Sequence, residues 1–193
     1  IRNEIAPKVK INDEDAKSFY ESNKEKFTKP VLYRVRHILI GTIQPPKNLE
    51  NKVDQKKATR MAKMINEEAK SNAEAVLLKI KAGEDFIKLA KEYSEDKTTY
   101  NEGGMLGDLH PESTIPEIAD EMVKLNEGQT SNIFHSTYGY HILKLDEIIP
   151  STLIPFEKAE SDILNILMKK ETQRMFKKYI ITLEKNAKIE IFI

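Results

Sequence analysis

The amino-acid sequence predicts an α+β domain with a helical arm at each end of the chain. Two segments, 31–40 and 140–149, are rich in β-branched and aromatic residues and predict strands. Each contains the triplet His-Ile-Leu, once at residues 37–39 and once at residues 141–143. Between them, apolar residues recur at helical spacing, so the central region combines strands with helices.

The first predicted element is an arm helix that begins after Asn12. Asn12 and Asp15 have the spacing of a helix N-cap with an acidic first turn, and the apolar residues that follow share one face. Pro30 ends the arm, because the residue before a proline avoids the helical conformation. The strand at 31–40 follows, and the proline-containing segment 41–49 is predicted to be a loop.

Two helices and a glycine-rich turn are predicted next. Apolar residues at helical spacing indicate a long amphipathic helix over 53–82, which Gly83 ends as a C-cap. A shorter helix over 85–93 places its apolar residues on one side. The polar stretch that follows closes with the run Gly-Gly-Met-Leu-Gly at 103–107, and such glycines mark backbone that turns or is closely approached.

A short helix and a hairpin complete the central region. Ser113 and Pro116 predict the start of a helix that runs to about residue 125. The apolar segments 133–134 and 140–149 are joined through a short turn that ends in Gly139, and they predict a β-hairpin.

The two arms are predicted to form a second, helical lobe. An apolar stripe over 156–185 predicts a long helix, and residues 189–193 are predicted to form a strand with residues 9–11. Neither amphipathic arm can bury its stripe alone, so we expect the arms to pack on one another. The predicted organisation has three parts: an N-terminal arm at 1–30, a central domain at 31–149, and a C-terminal arm helix with its terminal strand at 150–193.

Composition excludes several function classes. The 31 basic and 31 acidic residues cancel, so no global field attracts nucleic acid or an anionic membrane, although a local basic patch remains open. The absence of cysteine excludes disulfides, thiolate metal sites and a cysteine nucleophile. No apolar stretch is long enough to span a bilayer. The start at Ile1, without a signal-peptide pattern, indicates a processed product or a fragment.

The two histidines of the repeated triplets are the strongest candidates for a functional site. Strand alternation puts His37 on one face with Val35 and Leu39, and puts His141 on one face with Leu143. An imidazole on such an apolar face needs hydrogen-bond partners. A single histidine of this kind is most often a satisfied core residue, but two in matching triplets favour a pair that meets across neighbouring strands.

Other interpretations of the polar residues have less support. A metal site built on His110, His135 and His141 lacks the spacing of a metal-binding helix. The glycine run lacks the Lys-Ser/Thr of a phosphate-binding loop, so a turn is favoured. The lysine-rich face of the 53–82 helix is most simply a solvated face. We therefore expect neither a metal nor a cofactor.

Four segments that follow one another along the chain carry a resemblance to a known family. They are the runs at 35–40, 82–94, 103–107 and 138–144. Together they resemble the parvulin family of peptidyl-prolyl cis-trans isomerases, and the arms resemble exported SurA/PrsA-like foldase chaperones. The resemblance implies a parvulin-like four-stranded antiparallel sheet wrapped by helices, with a shallow groove for a peptide that contains X-Pro.

Taken residue by residue, the resemblance also implies a catalytic set and a pocket. His37 and His141 match the paired histidines of parvulins, and Asp96 matches a position that is Cys or Asp in that family. Ser136 matches the hydroxyl residue before the last strand. The implied substrate-binding residues are Leu39, Leu106, Thr114, Ile118 and Phe134.

Part of the pocket departs from the parvulin pattern. Counted from Gly107, the usual Met and Phe of the pocket fall on Thr114 and Ile118. Met105 stands where the glycine signature commonly has Asp. An aromatic floor for the prolyl ring is missing at its expected place, so we expect a weak isomerase activity.

The chemistry of X-Pro isomerisation suits the four implied catalytic residues. Rotation crosses a barrier of about 20 kcal/mol because twisting destroys amide resonance, and it requires no nucleophile. The protein has only to bind the twisted amide better than the planar one. We therefore expect a structural and electrostatic role for His37, His141, Asp96 and Ser136 rather than proton transfer.

Two functions are compatible with the sequence. The first is a peptidyl-prolyl cis-trans isomerase, or rotamase, of parvulin type that assists the folding of exported proteins. The alternative is a chaperone or binding module with a weakly active or inactive parvulin domain. Both imply unfolded or newly exported polypeptides as partners, no nucleic acid, and an extracytoplasmic location in the periplasm or at the cell surface. Exposed apolar surface on the arms would permit a homodimer.

Overall fold

A computed structural model describes residues 11–47 and 51–186 of the chain. The described chain divides into two compact units: residues 30–150 form the larger one, and residues 11–29 with 151–186 form the smaller one. The predicted terminal strand at 189–193, with residues 9 and 10 of its partner segment, lies outside the described residues. None of the helices in the described ranges combines the length and apolar composition that a membrane span requires.

The helices and strands follow one another in an order close to the predicted one. In chain order they are α1 (Asp13–Glu21), β1 (Thr28–Lys29), β2 (Leu32–Gly41), α2 (Lys52–Lys81), α3 (Phe86–Tyr93), β3 (Met105–Leu109), α4 (Pro116–Met122), β4 (Phe134–His135), β5 (Gly139–Ile149), β6 (Thr152–Leu153) and α5 (Phe156–Asn186). Short 3-10 turns lie at Lys24–Phe27, Tyr100–Glu102 and Pro111–Ser113.

The larger unit is built on a four-stranded antiparallel sheet with the strand order β3-β2-β5-β4. This sheet confirms the predicted α+β class. The two strands that carry His-Ile-Leu are neighbours at its centre, where His37 pairs with Leu143 and Leu39 pairs with His141. Side chains that are paired directly across two strands point to the same face, so both imidazoles project from one face of the sheet.

Strand β3 occupies the glycine-rich run, for which the residues themselves predicted only a turn. Gly104 turns the chain with a φ of 75°, and its carbonyl oxygen accepts a hydrogen bond from the backbone N–H of His37 at 2.8 Å. Beyond this turn the chain pairs with β2, with a bulge that leaves Leu106 without a partner in the ladder. The strand conformation therefore depends on the neighbouring strand rather than on local preference.

Each face of the sheet has its own apolar cluster. On one face, Ile38, Ile40 and Ile142 pack against apolar residues of α2 and α3. The opposite face, which carries the imidazoles, is packed against α4. The buried residues of this second cluster are Val35, Ile118, Met122, Leu125, Leu143 and Leu145.

The smaller unit brings the two arms together. Asn12 caps α1 as predicted, because its side chain accepts the Asp15 N–H at 2.8 Å while the Asp15 carboxylate accepts the Asn12 N–H at 3.0 Å. Helix α1 packs against the first part of α5. The buried residues of this contact are Ala16, Tyr20, Ala159 and Ile163. A two-stranded ribbon of β1 and β6, which the sequence did not predict, adds to the unit.

Substitution of Gly104 tests how tightly the glycine turn is held against β2. A Cβ at Gly104 would lie 2.0 Å from the carbonyl oxygen of His37, whereas a Cβ at Gly128, with a similar φ of 77°, would meet nothing within 4 Å. We expect Gly128→Ala to lower the free energy of unfolding by about 1 kcal/mol, from backbone strain alone. Gly104→Ala should lower it by at least about 3 kcal/mol. Urea denaturation of both variants measures the difference, and equal losses would contradict the close contact.

Candidate active site

The two imidazoles of the repeated triplets meet on the sheet. Their Nδ1 atoms are 3.3 Å apart, and only 4% of His37 and 2% of His141 are exposed. Asp96 lies at one end of the pair, with Oδ2 2.8 Å from Nε2 of His37. Ser136 lies at the other end, with Oγ 2.7 Å from Nε2 of His141. The structure thus joins the four residues of the predicted catalytic set into one continuous chain of hydrogen bonds.

Local backbone structure positions both ends of this chain. The Asp96 carboxylate follows α3 and accepts the N–H of Thr98 at 3.0 Å and its hydroxyl at 2.7 Å. Ser136 lies in the turn of the β4–β5 hairpin, where its N–H donates to the carbonyl oxygen of Gly139 at 2.9 Å. The Ser136 hydroxyl oxygen also accepts the N–H of Tyr138 at 3.0 Å. Neither end depends on a freely rotating side chain.

Thr99 is a member of the site that the sequence reasoning missed. Its buried hydroxyl donates to Oδ2 of Asp96 at 2.6 Å and lies 3.2 Å from Nε2 of His37. Its carbonyl oxygen accepts the N–H of Gly104 at 2.9 Å, which ties the Asp96 loop to the turn that holds β2. A hydroxyl residue three positions after an aspartate is common in turns, so the spacing alone could not distinguish it.

Hydrogen bonds keep the Asp96 carboxylate charged. Desolvation would raise the pKa of Asp96, but the bonds from Thr99, Thr98 and His37 outweigh it and hold the pKa below its usual value. At neutral pH this carboxylate is therefore an acceptor only.

A charged Asp96 fixes the proton positions along the whole chain. Nε2 of His37 must carry a proton to donate to Asp96, so Nδ1 of a neutral His37 is an acceptor. Nδ1 of His141 then donates to it, which leaves Nε2 of His141 to accept the hydroxyl proton of Ser136. All four ring nitrogens are satisfied by this one arrangement.

Burial keeps both rings neutral. Desolvation, reinforced by the neighbouring rings of His37 and His135, lowers the pKa of His141 to about 4. Desolvation also lowers the pKa of His37, although its bond to Asp96 opposes the shift. A proton added to Nδ1 of His37 would face the N–H of His141, and a proton added to Nε2 of His141 would face the Ser136 hydroxyl proton, so each position opposes protonation.

Three of the predicted pocket residues lie in the apolar cluster on the imidazole face. They are Leu106, Ile118 and Phe134, and the first and last of them are half-buried. The ring of Phe134 stacks on His141 with 5.3 Å between ring centroids and 16° between ring planes. This contact places an aromatic ring beside the hydrogen-bonded chain.

The other two predicted pocket residues are placed differently. Thr114 is half-buried at the end of the 3-10 turn that precedes α4. Leu39 belongs to neither cluster of this unit, and its backbone binds the loop after α3 through Ser94 and Glu95. Leu39 nevertheless points to the imidazole face, because it pairs with His141 across the two central strands, and the pocket roles of Leu39 and Thr114 stay predictions.

The remaining histidines make local contacts. Nδ1 of His110 accepts the N–H of Glu112 at 3.3 Å, and the ring of His135 packs edge-on against Tyr140. Within the ranges that the structure describes, no group of three or more His, Asp or Glu residues is arranged to hold a metal ion.

Comparison with known proteins identifies the family and several relatives of this chain. A family model described as rotamase, PPIC-type PPIase domain, matches residues 37–147, which is more than half of the chain. The foldase protein PrsA of Clostridium botulinum is 30% identical over 193 residues, covering 98% of this chain and 49% of PrsA. PrsA of Caldanaerobacter subterraneus is 31% identical over 189 residues, covering 98% of this chain and 51% of PrsA. The chain therefore spans about half the length of these relatives.

Solved structures show the same fold. One of the SurA-like chaperones PEB4 and Cj1289 of Campylobacter jejuni matches 99% of this chain and 68% of its own, with a TM-score of 0.70 at 24% identity. A PpiC-type peptidyl-prolyl cis-trans isomerase domain matches 63% of this chain and 94% of its own, with a TM-score of 0.50 at 21% identity.

The proton arrangement predicts an unusual tautomer. We expect His141 to carry its proton on Nδ1 and His37 to carry its proton on Nε2, because only this pairing satisfies Asp96 and Ser136 together. Long-range ¹H–¹⁵N correlation spectra distinguish the two tautomers, and His110, whose Nδ1 accepts a backbone N–H, provides an Nε2-protonated reference. An Nε2-protonated His141 would contradict the arrangement.

Acid should destabilise the larger unit within a defined pH window. In the unfolded chain, His141 binds a proton near the ordinary histidine pKa of 6.5, whereas in the folded protein its pKa is about 4. As the pH falls, the unfolded state therefore gains this proton first. The stability linked to neutral His141 is complete above 6.5 and is lost progressively down to 4, where the loss reaches ~3 kcal/mol. Urea denaturation across this range measures the slope. His141→Gln should flatten it, and an unchanged slope would contradict the assignment.

Proposed function

Since the chain belongs to the family of PPIC-type peptidyl-prolyl isomerase domains, we propose that it catalyses the cis-trans isomerisation of X-Pro bonds in polypeptides. The observation that carries this proposal is the buried chain from Asp96 through His37 and His141 to Ser136, beside the ring of Phe134. It supplies one fixed charge at the His37 end and one fixed apolar surface at the His141 end, and the proposed mechanism uses both features.

The proposed mechanism is electrostatic and steric. In a planar amide, resonance moves negative charge onto the carbonyl oxygen, and twisting the bond removes that charge. Leu106, Ile118 and Phe134 provide an apolar surface for the pyrrolidine ring. The side chain of Asp96 is 17% exposed, so its charge reaches the surface of the site. A fixed negative charge near the carbonyl oxygen disfavours the planar amide and so favours the twisted one.

The two histidines act as positioning residues in this mechanism. Both rings are buried, so neither offers a surface to a peptide. His37 donates to Asp96, and His141 stacks on Phe134. The contact between the two rings therefore fixes the carboxylate and the aromatic ring relative to each other. Such precision matters because small displacements of binding groups cost catalytic rate.

A pair of substitutions at Asp96 tests the mechanism. Asp96→Asn keeps an acceptor for His37 but removes the charge, whereas Asp96→Ala removes both. We expect each variant to lower kcat/KM by about tenfold or more in a protease-coupled assay with a proline-containing peptide, because the charge is the effective feature.

Asp108→Asn is the matched control for these variants. Asp108 also accepts hydrogen bonds at the sheet surface, but from Arg34 rather than from the histidine pair. This variant should retain the wild-type rate. Full activity in Asp96→Asn with loss only in Asp96→Ala would contradict the electrostatic role, and a wild-type rate equal to the spontaneous one would contradict the proposed function.

We further propose that the substrates are unfolded or newly exported polypeptides and that the protein works outside the cytoplasm. Relatives described as foldases and as SurA-like chaperones, one of them periplasmic, support both points. The alternative of a chaperone or binding module without turnover has less support, because Asp96, His37, His141 and Ser136 are all in place. That alternative predicts suppression of client aggregation by the wild type and by Asp96→Ala alike, without isomerase activity in either.

A further inference from the structure

The first half of α2 carries large apolar side chains on its outer side. Four of them are between 39% and 66% exposed: Val53, Met61, Met64 and Ile65. Over residues 52–68 only Ala62 is buried. The inner side of this half is held to the preceding loop by polar contacts, in which the Asn66 side chain binds both backbone groups of Ile43. The apolar residues are therefore not needed to anchor the helix.

Basic residues flank this apolar surface toward the start of α2, whereas Glu67 and Glu68 follow it. The segment 52–63 contains five basic residues, Lys52, Lys56, Lys57, Arg60 and Lys63, and one acidic residue, Asp54. All six are exposed. Lys63 approaches Glu67 at 3.7 Å, but this ion pair is exposed and therefore weak. Although the net charge of the whole chain is zero, the first part of α2 carries a local excess of positive charge.

The shape of the region favours a flat partner over a peptide. A shallow depression on it is lined by Lys57, Arg60, Met61, Met64, Ile65 and Glu68. Every one of these lining residues belongs to α2, so a single convex helix forms the surface and no second element of the described chain supplies the opposite wall of a groove. A groove of that kind is the usual receptor for the apolar face of a partner helix.

We propose that this basic apolar face of α2, formed by Val53, Lys57, Arg60, Met61 and Met64, docks on an anionic lipid surface. Apolar tips that enter the headgroup region, with lysine and arginine beside them, are the pattern of a helix that lies in the membrane interface. Each basic residue near an anionic surface contributes about fivefold in affinity, so binding depends on the charge of the lipid and weakens as salt screens it.

Vesicle co-sedimentation tests the proposal. The full chain is mixed with vesicles of phosphatidylcholine alone or with about one third phosphatidylglycerol, at about 0.05 M and about 0.5 M salt. We expect binding to the anionic vesicles at low salt, at least about tenfold stronger than to the neutral ones, and loss of this preference at high salt.

Two double variants separate the apolar and basic contributions. Met61→Ser with Met64→Ser removes the apolar tips, and Lys57→Glu with Arg60→Glu reverses the charge. Each should weaken binding to anionic vesicles by about tenfold or more. Circular dichroism checks that both remain folded, which we expect because all four side chains are exposed.

Matched controls carry the same chemical changes elsewhere. Leu78→Ser removes an exposed apolar side chain from the other half of α2, and Lys169→Glu with Lys170→Glu reverses two exposed charges on α5. Both should bind the vesicles like the wild type. Equal binding to neutral and anionic vesicles, or equal weakening by variants and controls, would overturn the proposal.

An acidic amphipathic peptide is the competing partner. If a fluorescent peptide of that kind binds with an affinity that Lys57→Glu with Arg60→Glu abolishes, while the vesicles do not bind, the face is a protein-binding surface and the lipid proposal is wrong. The isomerase rate on a short peptide should be unchanged in all these variants, because none of the residues belongs to the proposed active site. The failure of either proposal can therefore be recognised independently of the other.

Discussion

The burial of two imidazoles on one face of a sheet is the constraint on which the larger unit depends. A buried ring nitrogen without a partner costs about 1–3 kcal/mol, and the pair presents four of them. The fold supplies Asp96 from the loop after α3, Ser136 from the hairpin before β5, and one ring for the other. These partners are distant in the sequence. The strand register, the loop and the hairpin must therefore each place their side chains within hydrogen-bond distance of the rings.

Much of this architecture could be predicted because helices and strands impose periodic patterns of apolar residues on the sequence. The helices show a 3.6-residue period, and the matching triplets place His37 and His141 at equivalent positions of two strands. Strand β3 could not be predicted from its own residues, because glycine and the absence of β-branched side chains favour a turn, and only pairing with β2 extends it. The ribbon of β1 and β6 is too short for any alternation to appear.

The residues that line the candidate site were harder to predict, because side-chain direction decides which of them face the pocket. Counting along the chain assigned Thr114 to the pocket, and this assignment stays a prediction, because Thr114 ends a 3-10 turn whose direction residue spacing does not give. Met122, one turn after Ile118, is fully buried in the apolar cluster on the imidazole face. An aromatic ring is absent at Ile118, but Phe134 of the edge strand provides one beside His141. Backbone direction within a turn is a three-dimensional property that residue spacing does not encode.

The neutrality of the histidine pair explains how a site with several titratable groups can present one constant charge. Burial lowers the pKa of both rings, while hydrogen bonds lower that of Asp96, so near neutral pH the rings carry no charge and the carboxylate carries one. The same bonds run in a single direction from Ser136 to Asp96, so a proton cannot enter the pair without reversing or breaking one of them. The field at the apolar surface is therefore that of one carboxylate whose position is fixed by two neutral rings.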